Sequence, residues 1–215
     1  RLAFDLQQPR LTVEVGSGQV TLRRAEGDRV EVRRTVRSRG VEPTLDERST
    51  PDGVTLVAQC PWAIGAQCSV DYDVQVPDGV ALTVRTDSGG VSITGVTGRD
   101  VKVDVDDGEV RLTDVHGAVD VTADSGNVVG ERLDVSSFAA ETDSGAVTAD
   151  FTRAPEKVEV VADSGDVELV LPAGPYRVQV EAESGEERIE VPVDSTSPSS
   201  VRVDTDSGDV QLRPR

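Results

Sequence analysis

The chain has 215 residues, a formal net charge of −18 and a pI near 4.4; 36% of its residues are apolar and 3% aromatic. So acidic a composition argues against a nucleic-acid binder and against adsorption on anionic lipid, because both need basic patches. Of the basic residues, twenty are Arg and two are Lys (Lys102, Lys157), a bias that reads as codon usage in a GC-rich genome.

No stretch reads as a signal peptide or a transmembrane helix. The chain opens Arg1-Leu2-Ala3-Phe4 without Met. It reads as a fragment or a mature ectodomain whose upstream anchor has been removed. Residues 1–79 form an irregular β region. Leu11–Val15, then Gly16-Ser17-Gly18, then Val20–Leu22 is a strand–corner–strand unit. Val30–Val36, Val54–Gln59 and Val70–Val76 alternate apolar and polar residues as further strands. Arg37–Asp52 is polar and turn-rich, and reads as a long loop or hairpin. Cys60 and Cys68, the only cysteines, flank Pro61, Trp62 and Gly65 in a turn between two of these strands. The pair suits a local disulfide, and hence an oxidising, extracytoplasmic compartment.

From residue 80 to the end the chain repeats. The corners are Asp87-Ser88-Gly89, Asp106-Asp107-Gly108, Asp124-Ser125-Gly126, Asp143-Ser144-Gly145, Asp163-Ser164-Gly165, Glu183-Ser184-Gly185 and Asp206-Ser207-Gly208. Glycine-to-glycine steps are 19, 18, 19, 20, 20 and 23 residues. Two positions after each glycine comes Val91, Val110, Val128, Val147, Val167 or Val210, with Glu187 the one exception. Five before it comes Val84, Val103, Val121, Ala140, Val160, Val180 or Val203. Period-two alternation on both sides of a turn is the mark of half-buried strands, and a fixed period marks a stack of rungs. The expected fold is all-β: a single-stranded β-solenoid (β-helix-like) with repeats of about 19 residues over 80–215. Residues 1–79 would be its irregular N-terminal cap. Within each corner, Asp and Ser are expected to bond back to nearby backbone.

Chemistry-bearing residues are sparse. A nucleophilic Ser needs a base in reach, and the sole histidine, His116, lies beside no recurring Ser in sequence. Carboxylate pairs such as Asp106/Asp107 could serve a polysaccharide-acting enzyme. Repetition at every corner instead marks a structural motif. Stacked Asp oxygens are the ligands calcium prefers. However, the Gly-Gly-x-Gly-x-Asp β-roll motif is absent, and the favoured reading has each Asp facing water. The expectation is therefore no catalytic, cofactor or metal residues, with calcium the one ion to test.

Two stretches carry a family resemblance: Val84-Arg85-Thr86-Asp87-Ser88-Gly89-Gly90-Val91 and Val203-Asp204-Thr205-Asp206-Ser207-Gly208-Asp209-Val210. With Cys60-Pro61, Cys68-Ser69-Val70-Asp71-Tyr72 and Val76-Pro77-Asp78-Gly79, the chain resembles the bacterial adhesin-like domain family of unknown function, its actinobacterial members especially. The resemblance implies a β-solenoid ectodomain on the bacterial cell surface, tethered by a preceding membrane helix, with some relatives linked to envelope stress. Together these readings give a non-enzymatic surface interaction or scaffold module. Its partner would be an unknown envelope protein or polymer, with membrane contact only through the upstream anchor. The alternatives are a sensory ectodomain in envelope-stress signalling, a calcium-dependent adhesive rod, and a polysaccharide-acting enzyme. Oligomeric state and handedness are not legible.

Overall fold

The structure is a computed structural model that describes residues 10–62 and 64–215, and the backbone of residues 2–5. In chain order the strands are β1 (Leu2–Asp5), β2 (Arg10–Ser17), β3 (Val20–Arg24), β4 (Arg29–Arg39), β5 (Thr44–Thr50), β6 (Gly53–Gln59), β7 (Gln67–Val76), β8 (Val80–Ser88), β9 (Val91–Thr94) and β10 (Thr97–Asp107). There follow β11 (Val110–Thr113), β12 (His116–Ser125), β13 (Val128–Ser144), β14 (Val147–Phe151), β15 (Lys157–Ser164), β16 (Val167–Leu171), β17 (Arg177–Ser184), β18 (Glu187–Ile189), β19 (Ser200–Ser207) and β20 (Val210–Pro214). No helix occurs among the described residues.

The strands make one curled, mostly parallel sheet with two faces. Sheet B runs β5-β6-β2-β8-β10-β12-β13-β15-β19-β17. Sheet A runs β1-β4-β7-β3-β9-β11-β13-β14-β16-β20-β18. Strand β13 is long enough to serve both, pairing first in sheet A and then in sheet B. The inward columns alternate as the sequence reading requires. Val84, Val103, Val121, Val160 and Val203 are at most 1% exposed, and Val128 and Leu212 are fully buried. Both faces contribute to one apolar core that runs from Leu11 to Leu212. Gly130 leaves a gap in its column, and Leu133 fills it: a Cβ at Gly130 would lie 2.6 Å from the Leu133 side chain.

Gly126 shows why each corner needs glycine. Its φ is +147°, and an added Cβ would sit 2.0 Å from the Gly108 carbonyl oxygen in the next rung. Every corner glycine from 89 to 208 repeats this contact, at 1.8–2.4 Å. The rungs stack backbone on backbone, so no side chain fits between them. The corner carboxylates Asp87, Asp106, Asp124, Asp143, Asp163, Glu183 and Asp206 do not bond back to their turns. At the corners, side-chain bonds between rungs come from the residue after the glycine. Asn127 Oδ1 accepts from Ala146 N at 3.0 Å, Asp166 Oδ1 from Asp209 N at 2.9 Å, and Asp209 Oδ1 from Glu186 N at 2.9 Å.

Both ends depart from a simple sequential stack. At the C-terminal end β19 and β20 lie between β15/β16 and β17/β18. The rung of Glu183-Ser184-Gly185 is therefore outermost and that of Asp206-Ser207-Gly208 is next to last. At the N-terminal end β2 and β3 lie between β6/β7 and β8/β9. Arg37–Asp52 is not one loop: its second half, β5 and the turn at Pro51-Asp52, forms a hairpin with β6. β4 continues to Arg39, antiparallel to β7 in sheet A, and the chain then crosses to β5, antiparallel to β6 in sheet B. A buried tyrosine stands beside each crossing. Tyr72 donates to Glu47 Oε1 at 2.9 Å, and Tyr176 donates to the Pro172 carbonyl at 2.8 Å.

Candidate interaction surface

The outward side chains form rows that run across the rungs. On sheet B, Lys102, Asp120, Ala139, Glu159 and Arg202 stand in register, and beside them Ala118, Ser137 and Lys157. The small side chains at 118, 137 and 139 leave an open depression of about 340 Å³. Its floor is the backbone above buried Val119 and Phe138, and its rim carries Lys102, Asp120, Lys157 and Glu159. Both lysines of the chain stand on this rim. Lys102 pairs with Asp120 at 3.5 Å and Lys157 with Glu159 at 2.5 Å. The hydrogen bond from Lys157 holds the Glu159 carboxyl below the usual range. Each ion pair is about half exposed, so the depression has exchangeable charges of both signs above an apolar floor.

Along one edge the corner carboxylates stack in spatial order Asp87, Asp106, Asp124, Asp143, Asp163, Asp206, Glu183. Asp106 is pushed up from the ordinary carboxylate range by partial desolvation first and then by Asp124, Asp87, Asp104 and Asp107. Asp107 takes the place that Ser88 and Ser125 hold in the neighbouring rungs, which adds a second charge at that step. Among the described residues no group of three or more His, Cys, Asp or Glu is arranged to hold a metal ion.

His116 lies on the surface at the start of β12, with Nδ1 3.4 Å from Asp134 Oδ2. Asp106 and Asp107 are exposed on the corner edge rather than in a cleft. Tyr72, Tyr176, Phe138 and Phe151 are buried; the two phenylalanine rings meet edge to face at 5.6 Å. The side chain of Phe4 falls outside the described residues. Trp62 is thus the one described aromatic side chain on the surface.

Cys60 and Cys68 are joined, with Cα atoms 5.7 Å apart. Their loop replaces the tight corner of the β6/β7 rung. Trp62 is 86% and Ile64 90% exposed on it, beside an open notch of about 480 Å³ that reaches Val41. Sequence reasoning found the disulfide but not the depression. The depression depends on small residues from three strands meeting on one face, which local patterns do not report.

No curated protein matches the chain. Two solved structures are similar over nearly its whole length. One is a candidate cell adhesion protein from Clostridium sporogenes, with 10% identity and a TM-score of 0.37, over 98% of this chain and 94% of that one. The other is a candidate adhesin from Bacteroides fragilis, with 9% identity and a TM-score of 0.44, over 100% of this chain and 95% of that one. The sequence profile of the Toastrack DUF4097 family matches residues 69–213, which begin just after Cys68 and cover nearly the whole repeat. The chain belongs to the Toastrack DUF4097 family.

Proposed function

We propose that this protein is a non-enzymatic, extracytoplasmic β-solenoid that serves as an interaction or scaffold module at the bacterial cell surface, with an envelope protein or polymer as its partner. The observation that carries the reading is the outer face of sheet B. It is a broad face of parallel strands whose dip across β10, β12, β13 and β15 combines an apolar floor with paired, exchangeable charges. Such a dip suits a polar chain laid across the rungs, which would exchange partners with Lys102 and Lys157. The Cys60–Cys68 bond supports an oxidising compartment.

The test is retention of envelope fractions, sacculi and solubilised membrane proteins separately, on the immobilised chain. A captured component should be lost with Ala139→Arg, which fills the dip, and weakened with Lys102→Glu together with Lys157→Glu. Retention that neither variant changes would move the contact to another face.

A further inference from the structure

Beyond that reading, we infer that the disulfide loop is a membrane-contacting tip, which enters the interface of a lipid bilayer through Trp62 and Ile64. Residues 60–68 contain no charged side chain in a chain that is 29% charged. Its two side chains at 62 and 64 have the largest apolar exposures among the described residues. A solvated loop gains nothing from displaying both, whereas a bilayer interface accepts Trp and Ile together. The disulfide fixes the loop ends, so little order is lost on contact.

The same end is less acidic than the rest of the chain. Residues 1–79, which hold both strands of the loop's rung, carry ten arginines against twelve carboxylates, and residues 80–215 twelve basic residues against twenty-eight carboxylates. Directly behind the loop, β4 pairs Arg37 with Ser69 and Arg39 with Gln67. Arg37 is bridged to Asp71, while Arg39 is exposed and has no ion-pair partner among the described residues. A cation one layer behind an apolar tip is placed to meet lipid phosphate. The nearest corner carboxylate, Asp87, leans towards this end: a Cβ at Gly16 would lie 3.5 Å from Asp87 Oδ2 and 3.8 Å from Cys60 N. Contact of this tip with lipid therefore rests on its apolar side chains and on Arg39, with Asp87 opposing approach to an anionic surface.

Trp62 is the only tryptophan, so its fluorescence reports the tip alone. The experiment titrates the full chain with vesicles of phosphatidylcholine mixed with phosphatidylglycerol. Trp62 emission should shift to the blue and be quenched by acyl-chain-brominated lipid. The association should be weak, on the order of 10⁴ M⁻¹ or below, the range of one short lipid anchor. Ile64→Ser, at a side chain that supports no core packing, should keep the melting temperature and weaken partitioning about tenfold. Arg39→Gln should weaken it on these vesicles but not on pure phosphatidylcholine. Unchanged emission at millimolar lipid overturns the proposal and leaves the loop to a protein partner. A shift that survives Ile64→Ser unchanged overturns it as well. Neither outcome bears on the sheet B depression, which lies on different rungs.

Discussion

Gly126 and its equivalents are the residues on which the stack depends most directly. Gly126→Ala combines a φ that L side chains rarely adopt with a 2.0 Å approach to Gly108 O. Strain and overpacking should together cost about 3 kcal/mol or more, read from urea unfolding. The column three residues before each glycine makes the opposite case. There Thr86 donates to Gly89 O at 2.9 Å, but the hydroxyls of Thr142 and Thr205 are buried without a partner. Thr142→Val keeps the shape and removes an unpaired polar group, so it should stabilise by about 1 kcal/mol. An equal Thr86→Val variant should not. Asp106 adds a pH signature. Its folded pKa lies above the unfolded value, so its ionisation opposes folding at neutral pH and ceases to do so as pH falls. Asp106→Asn should therefore raise the melting temperature at pH 7, and the gain should vanish near pH 3. A gain that persists at low pH would locate the effect in packing rather than charge.

At the scale of elements, the terminal rung explains the one exception in the valine column. β17 and β18 have a neighbour on one side only, and their inward residues Val178, Val180 and Ala182 are half-buried where Val201 and Val203 of the next rung are not. An edge like this invites a second chain to add strands. Glu187 stands at the inward position that other rungs fill with valine, and its carboxylate accepts from Ala182 N at 3.3 Å. A charge there makes stacking of another copy costly, because it would be buried without a counterion. Glu187→Val should produce concentration-dependent association in sedimentation velocity, with the parent monomeric at this end under the same conditions. The other end is held by polar bonding. Glu47 joins Tyr72 of sheet A to Arg34 and to its own strand in sheet B. Tyr72→Phe should cost about 1 kcal/mol, and Glu47→Ala more, since it orphans both partners.

For the whole molecule, the balance of carboxylates sets the acid limb of stability. Asp114, bonded twice by Arg132, has a lowered pKa, as do Glu159 beside Lys157 and Asp194 bonded by Thr196. Lowered groups contribute stability above their unfolded pKa and lose it as pH falls through the folded value, opposite in sign to Asp106. The corner ladder lacks the turn bonds that would offset its repulsion. Added salt at pH 7 should therefore raise the melting temperature, and Asp106→Asn should reduce that salt response. The core is continuous across the rungs, so Val160→Asp should cost several kcal/mol, about the price of an unpaired buried charge, and lower the single transition as a whole. The Cys60–Cys68 bond closes only a short loop, so its reduction should cost about 2–3 kcal/mol without loss of fold.

The corners, the inward columns and the disulfide were legible in the chain because each is a local pattern repeated under one constraint. A glycine that cannot carry a Cβ, a valine every second residue and two nearby cysteines declare themselves without reference to distant segments. The sequence reading also marked Glu187 as an exception, but could not give its reason. Tertiary structure alone decided which rung is last. A parallel strand pairs equally well with the rung before or after it in sequence, and the backbone ladder carries no address. The insertion of β19/β20 and of β2/β3 goes with crossings beside Tyr176 and Tyr72; the Tyr72 hydroxyl reaches Glu47 on another strand, and the Tyr176 hydroxyl reaches the Pro172 carbonyl within its own connection. The crossing of Arg37–Asp52 from one face to the other was hidden for the same reason. Its alternation fits a strand in either sheet, and only the opposite edges offered by β7 and β6 separate the two.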